Sequence, residues 1–181
     1  GEYTKALEFH EKSLAIRTAI HGDGNHRDIA INYSNIGSVY QSQGEYAKAL
    51  QFHEKSLFIK KAVYDDVDHP DIAIDYSNIG SVYQLQREYT KALQFHEKSL
   101  AIEEAVHIDL GHLNIAIDYF NIGQMYRTQK HHTAALDHFQ KCLEILSGFY
   151  DDQHPEVVAV QSYIRRLKQS LGNISSSLLI P

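Results

Sequence analysis

Twelve histidines in 181 residues raise metal and acid–base chemistry first, since imidazole is both the commonest metal ligand and a side chain that titrates near neutrality. Their spacing argues otherwise. His10, His53 and His96 recur at a fixed step, and so do His26, His69 and His112. Equivalent positions on stacked helical units lie about 10 Å apart, whereas ligands must each come within about 2 Å of one ion. His131 and His132 are neighbours on a helix and point apart. His10-Glu11-Lys12 and its copies lack the second histidine of a His-Glu-x-x-His zinc helix. No Gly-x-Ser-x-Gly elbow, phosphate loop or dinucleotide fingerprint is present. The expectation is a chain with no metal, no cofactor and no catalytic site, hence not an enzyme.

The chemistry that remains is hydrogen bonding by side-chain amides. Asn35, Asn78 and Asn121 share one register, with Ser38 and Gln41, Ser81 and Gln84, and Gln124 and Arg127 beside them at helical spacing. An exposed amide offers both donor and acceptor, so such a row suits the backbone of an extended peptide. The competing reading is that each asparagine bonds a neighbouring helix and orders the stack. The row is nearly uncharged until Arg127, where Arg165 and Arg166 could join it in attracting acidic residues. A clamp for an acidic tail would need several Lys or Arg along the whole row.

These residues are positioned by a repeat. Tyr33-Ser-Asn-Ile-Gly-Ser-Val-Tyr-Gln41 returns unchanged from Tyr76 to Gln84 and, altered, from Tyr119 to Arg127. About 30 of the first 43 residues are identical in the next 43, and a period in that range marks a stacked array without one central core. Apolar periodicity predicts helices near 2–20, 27–43, 45–64, 70–86, 88–107, 113–129, 131–149 and 155–171. Gly22 and Gly24 break the first, Gly44 ends the second, and Pro70 with Asp71 suits a helix start.

The expected organisation is an array over 1–171: an orphan helix 2–20, repeats about 27–64, 70–107 and 113–149, and a capping helix 155–171. The cap carries Arg165 and Lys168 where its siblings have glycine and tyrosine. A flexible tail is expected over 172–181. The orphan helix puts Ala6, Leu7, Phe9, Leu14 and Ile16 on its apolar stripe with no helix before it. Such an open flank implies a longer array or self-association.

Composition narrows the partners. A net charge of −6 lacks the basic patch that nucleic acid requires. No apolar run approaches the ~20 residues of a membrane span, and the polar start reads as no signal peptide. A single cysteine, Cys142, fits a reducing compartment such as the cytoplasm.

Tyr76-x2-Ile79-Gly80-x2-Tyr83 followed by Ala92-x3-His96 resembles the tetratricopeptide repeat. Gly80 would let two helices approach closely, with Ala92 as the facing small residue. His10, His53 and His96 depart from the late aromatic that Phe139 restores. The unit is longer than the usual 34 residues, and with His69-Pro-Asp-Ile-Ala73 it looks like the kinesin light chain and nephrocystin-3 type. The resemblance implies an all-α, right-handed superhelix (an α-solenoid) of antiparallel helix pairs. It also implies a noncatalytic scaffold that binds a partner's peptide in its concave groove, an adaptor similar to kinesin light chain. A regulatory or self-assembly array of a larger signalling protein or multidomain enzyme is the alternative.

Overall fold

The computed structural model describes residues 1–22, 25–106 and 113–177, with side chains of the last helix as far as 172. Gly24, His112 and residues 178–181, which carry a predicted breaker, a repeat position and the end of the tail, lie outside the described residues. Every described element is a helix: α1 Glu2–His21, α2 Arg27–Ser42, α3 Tyr46–Val63, α4 Pro70–Leu85, α5 Tyr89–Val106, α6 Leu113–Thr128, α7 His132–Ser147 and α8 Pro155–Ser177. They fall into two compact units, one ending at Val106 and the other beginning at residue 107. α8 continues through Gly172, past the expected end at 171, because a glycine with no left-handed turn behind it weakens a helix by only about 1 kcal/mol.

In the first unit α2 pairs with α3 and α4 with α5, each pair antiparallel. Ile29 at the start of α2 meets Ile59 near the end of α3, while Tyr40 stacks on Phe52 at the other end of the pair. A tight turn makes this possible. Gly44 takes φ 77°, and its N–H bonds the carbonyl of Gln41. Arg87 and Lys130 occupy the same left-handed position without being glycine, at φ 62° and 63°.

The rows of identical residues have a packing reason. A Cβ on Gly37 would sit 2.8 Å from the His53 ring, one on Gly80 2.9 Å from His96, and one on Gly123 3.0 Å from Phe139. The nearest neighbour of each glycine is therefore this ring, a contact that the sequence-based pairing with Ala49 or Ala92 did not include. Imidazole replaces the usual aromatic because it is a similar flat ring. His53 is fully buried with neither nitrogen hydrogen-bonded. Desolvation, helped by the Lys60 charge, lowers its pKa to about 4, so the ring is neutral. Around each glycine contact, two tyrosines bracket a third ring: Tyr33 and Tyr40 on Phe52, Tyr76 and Tyr83 on Phe95, Tyr119 and Tyr126 on His138.

α1 is the exception. No residue in it is fully buried. Ala6, Leu7 and Leu14 are half-buried, but Phe9 and Ile16 of the predicted stripe are 72% and 60% exposed. In α3 and α5 the same positions are covered by the preceding helix, and among the described residues α1 packs chiefly on α2.

In the second unit α6 pairs with α7, and α8 lies against both. Val157, Val160, Ile164 and Leu167 of α8 are buried, while Arg165, Arg166 and Lys168 face outward.

Candidate functional site: the polar register of the first helices

On α2, Asn35 and Ser38 are exposed and Gln41 is half-buried. On α4, Asn78, Ser81 and Gln84 are all half-buried. α2 and α4 meet in the first unit. The structure commits some of their polar atoms. Ser38 Oγ donates to the Ser34 carbonyl at 3.1 Å, and Asn78 Nδ2 donates to Ser34 Oγ at 3.3 Å. Asn78 thus orders the stack, whereas Asn35 at the same register is turned to solvent.

The acceptor of that bond opens onto a buried ionic network that the sequence did not reveal. Ser34 Oγ donates to Asp75 Oδ1 at 3.1 Å, and Ser56 Oγ donates to Asp75 Oδ2 at 2.6 Å. Lys60 Nζ pairs with Asp75 Oδ1 at 2.9 Å and donates to the Asp71 carbonyl at 3.0 Å. Lys60 and Asp75 are 4% and 0% exposed, so the pair is dehydrated and must be fully bonded to be tolerated. Burial raises the Asp75 pKa despite the opposing pull of Lys60, Ser56 and Ser34. The available signal was an acid closing the apolar run Ile72-Ala73-Ile74-Asp75. At the rim Arg27 Nε holds Asp71 Oδ2 at 2.6 Å, and Tyr64 donates to the same oxygen at 2.7 Å.

In the second unit Asn121 and Gln124 are half-buried and Arg127 is exposed on α6. Arg127 Nε donates to Gln124 Oε1 at 2.9 Å, and the guanidinium lies 5.3 Å from the centre of the Tyr163 ring on α8. α8 thus places an aromatic ring where earlier first helices carry Asn78 and Asn121. The arginine is thus placed within cation–π reach of the ring while remaining exposed.

Among the described residues one group has metal-ligand proximity. Ligand atoms of His21, His26 and Asp28 lie within 4.8 Å of one another. The geometry is that of a helix cap. His26 Nδ1 accepts the Asp28 N–H at 3.2 Å, which puts the ring proton on Nε2 and leaves no second lone pair for a metal. His21 stacks on His26 with centroids 3.5 Å apart and planes 10° apart. The same stack recurs as Tyr64 on His69 and Tyr150 on His154, with phenol rings in place of the first imidazole. It reads as a lid on the capping histidine.

The tetratricopeptide repeat family matches over residues 1–62, 28–105 and 71–148. No curated protein matches the chain in sequence. Among solved structures it is similar to BtubC (BKLC) from P. vanneervenii, with a TM-score of 0.81 at 18% identity over 97% of this chain and 68% of that one. It is also similar to a Podospora anserina putative kinesin light chain with nearly identical TPR-like repeats, with a TM-score of 0.74 at 19% identity over 98% and 83%. The N-terminal domain of stress-induced protein-1 from C. elegans aligns at 0.58 and 22% identity, over 78% and 96%. The repeating glycine–ring contact, the paired helices and the matched span together mean that this chain belongs to the tetratricopeptide repeat family, with a fold like that of kinesin light chain-type arrays.

Proposed function

We propose that the chain is a noncatalytic scaffold that grips an extended peptide segment of a partner along the polar register of its first helices, as an adaptor similar to kinesin light chain. Tetratricopeptide arrays are in general interaction scaffolds, which supports the broader reading. The observation that carries the finer one is the face of α2. Ile29, Ala30, Ile36 and Gly37 of this helix are buried, yet Asn35 and Ser38 on either side of the last two are exposed. An uncommitted amide on an otherwise packed helix is suited to hydrogen-bond a peptide backbone. In the second unit Arg127, held against Tyr163, is suited to an acidic residue of a bound segment. A buried free thiol at Cys142 is compatible with a cytoplasmic setting.

The test is a peptide-array screen of the purified chain beside an Asn35→Ala/Asn121→Ala variant, with Asn78 spared because it bonds Ser34. Binding lost in a variant of unchanged helical content supports the groove. Hits that persist move the site elsewhere. A second reading, assembly through α1, is favoured by the exposed Phe9, Ile16 and Ile20 on one helix. Its test is light scattering across concentration, where a strictly monomeric chain would sink it.

A further inference from the structure

The two units fill the same junction with opposite chemistry. In the first, the corner where α2, α3 and α4 meet is occupied by Ser34, Ser56, Lys60 and Asp75, all bonded to one another or to nearby backbone. Alignment of His69-Pro70 with His154-Pro155 makes α6, α7 and α8 the same corner of the second unit. There the four positions are Phe120, Cys142, Leu146 and Val160. The lysine and its carboxylate have become Leu146 and Val160, and the two serines Phe120 and Cys142, so the corner is apolar throughout. All four residues line a cavity of about 270 Å³.

This is a formed pocket with a defined polarity. Cys142, Leu146 and Val160 are buried and make its floor, while Ile117 and Ala159 at the rim are exposed. The Cys142 thiol, pushed up to about 12 by burial and then by Glu156, stays protonated and serves as soft apolar surface. An apolar cavity of about 150 Å³ already accommodates benzene, so this one has room for a larger ring. Glu156 is the one charged residue lining it. In the first unit the equivalent acid, Asp71, is bound by Arg27. Leu113 stands at the position aligned with Arg27 and also lines the pocket. The acid therefore remains at the mouth where its basic partner has been replaced by an apolar side chain.

We infer that this pocket between α6 and α8 receives a bulky aromatic side chain of a partner peptide, with a Lys or Arg beside it facing Glu156. The inference rests on the peptide-binding reading and names the anchor within it. Apolar walls select the ring, because burying an aromatic side chain is worth more than any exposed ion pair. Glu156 selects the sign of the neighbour. Arg127 sits two helical turns along α6 from Phe120, on the order of 10 Å away. A bound segment would then run from a basic residue, through the buried ring, toward an acidic residue.

The experiment is fluorescence anisotropy with two labelled peptides in a Gly/Ser background, one carrying Trp-Lys and the other Trp-Glu. The Trp-Lys peptide is expected to bind more tightly by about two- to fivefold, the range of an exposed ion pair. Glu156→Gln should erase that preference. Ala159→Phe changes an exposed rim residue and should weaken Trp-Lys binding by about tenfold or more without altering helical content. Leu146→Lys/Val160→Asp, which installs the first unit's ion pair, should do the same. Equal binding of both peptides, or binding unchanged by Ala159→Phe, overturns the anchor. If array peptides lacking an aromatic residue still bind through Asn35 and Asn121, the groove reading survives that failure. Free tryptamine and indole-3-propionate form the control arm. Saturable tryptamine binding with no peptide binding would make the cavity a small-molecule site and also overturn the proposal.

Discussion

A histidine packed against a glycine Cα is useful only while it stays neutral, and that gives the first prediction. His53 titrates near 4 in the folded chain against an ordinary 6.5. Below pH 6.5 the unfolded chain therefore takes up a proton that the folded chain refuses. Stability falls from 6.5 down to 4 at about 1.4 kcal/mol per pH unit, or roughly 3 kcal/mol in all, and is unaffected above that window. His53→Phe, which copies the Phe139 solution, should flatten this part of the curve. Urea unfolding of both proteins at pH 4.5 and 7.5 measures it, and equal pH sensitivity would refute it. Gly80 tests the other side of the contact. Alanine gains about 1 kcal/mol of helix propensity but drives a Cβ to 2.9 Å from a buried ring. Overpacking costs about 1–3 kcal/mol, so Gly80→Ala should destabilise by about 1 kcal/mol net, read as a lower thermal midpoint with unchanged far-UV signal.

Turns and junctions are set by residues that matter only in combination. Arg87 holds φ 62° where the preceding repeat uses glycine at φ 77°. A side chain in that region costs about 1–2 kcal/mol, so Arg87→Gly should stabilise by up to about 1 kcal/mol after the added freedom of the unfolded chain is counted. Denaturant midpoints decide, and no gain would show that the turn is not strained. The Lys60–Asp75 pair behaves oppositely. Lys60→Leu strands a buried carboxylate and should cost about 3–5 kcal/mol, whereas Lys60→Leu/Asp75→Val, copying Leu146 and Val160, should recover most of it. A double mutant no better than the single would show that the ions contribute more than mutual compensation. Here lies the boundary of what the sequence discloses. The helices, their starts at His69-Pro70 and the glycine stop at Gly44 were legible because propensity and sterics act locally. Lys60 and Asp75 were not, since a charged residue in a helix looks solvated until three helices close over it. The Asn register was visible as a row, but Asn78's bond to Ser34 depends on how α2 meets α4. The pocket at Leu146 and Val160 was legible only by contrast, once its filled counterpart had been located.

At the scale of the molecule, the first unit is a line of helices in which each is stabilised by its neighbours, so protection should follow the number of faces covered. α3 buries Ala49, His53, Ser56, Ile59 and Lys60 between α2 and α4, whereas α1 buries nothing fully and has its main contact with α2. Its equivalent of the buried Ile59 is Ile16, 60% exposed, and the residue matching Phe52 is Phe9, 72% exposed. Losing the burial of two such side chains removes about 3–6 kcal/mol of local support. The Arg17 contact with the Asp28 carbonyl at 2.7 Å and the Asn32–Ser13 bond at 3.1 Å tie α1 to α2, but the neutral bond is worth only about 1 kcal/mol and the arginine's about 1.5–3 kcal/mol. Amide exchange in α1 should therefore run at least about a hundredfold faster than in α3 at neutral pH, a gap of about 2.7 kcal/mol. Hydrogen exchange followed by mass spectrometry resolves the two helices. Equal protection that disappears on dilution would mean that a second copy covers Phe9, Ile16 and Ile20, and would turn the exposed face of α1 into an assembly surface. Equal protection at every concentration would show instead that contacts to α2 alone suffice, and that burial does not rank stability along this array.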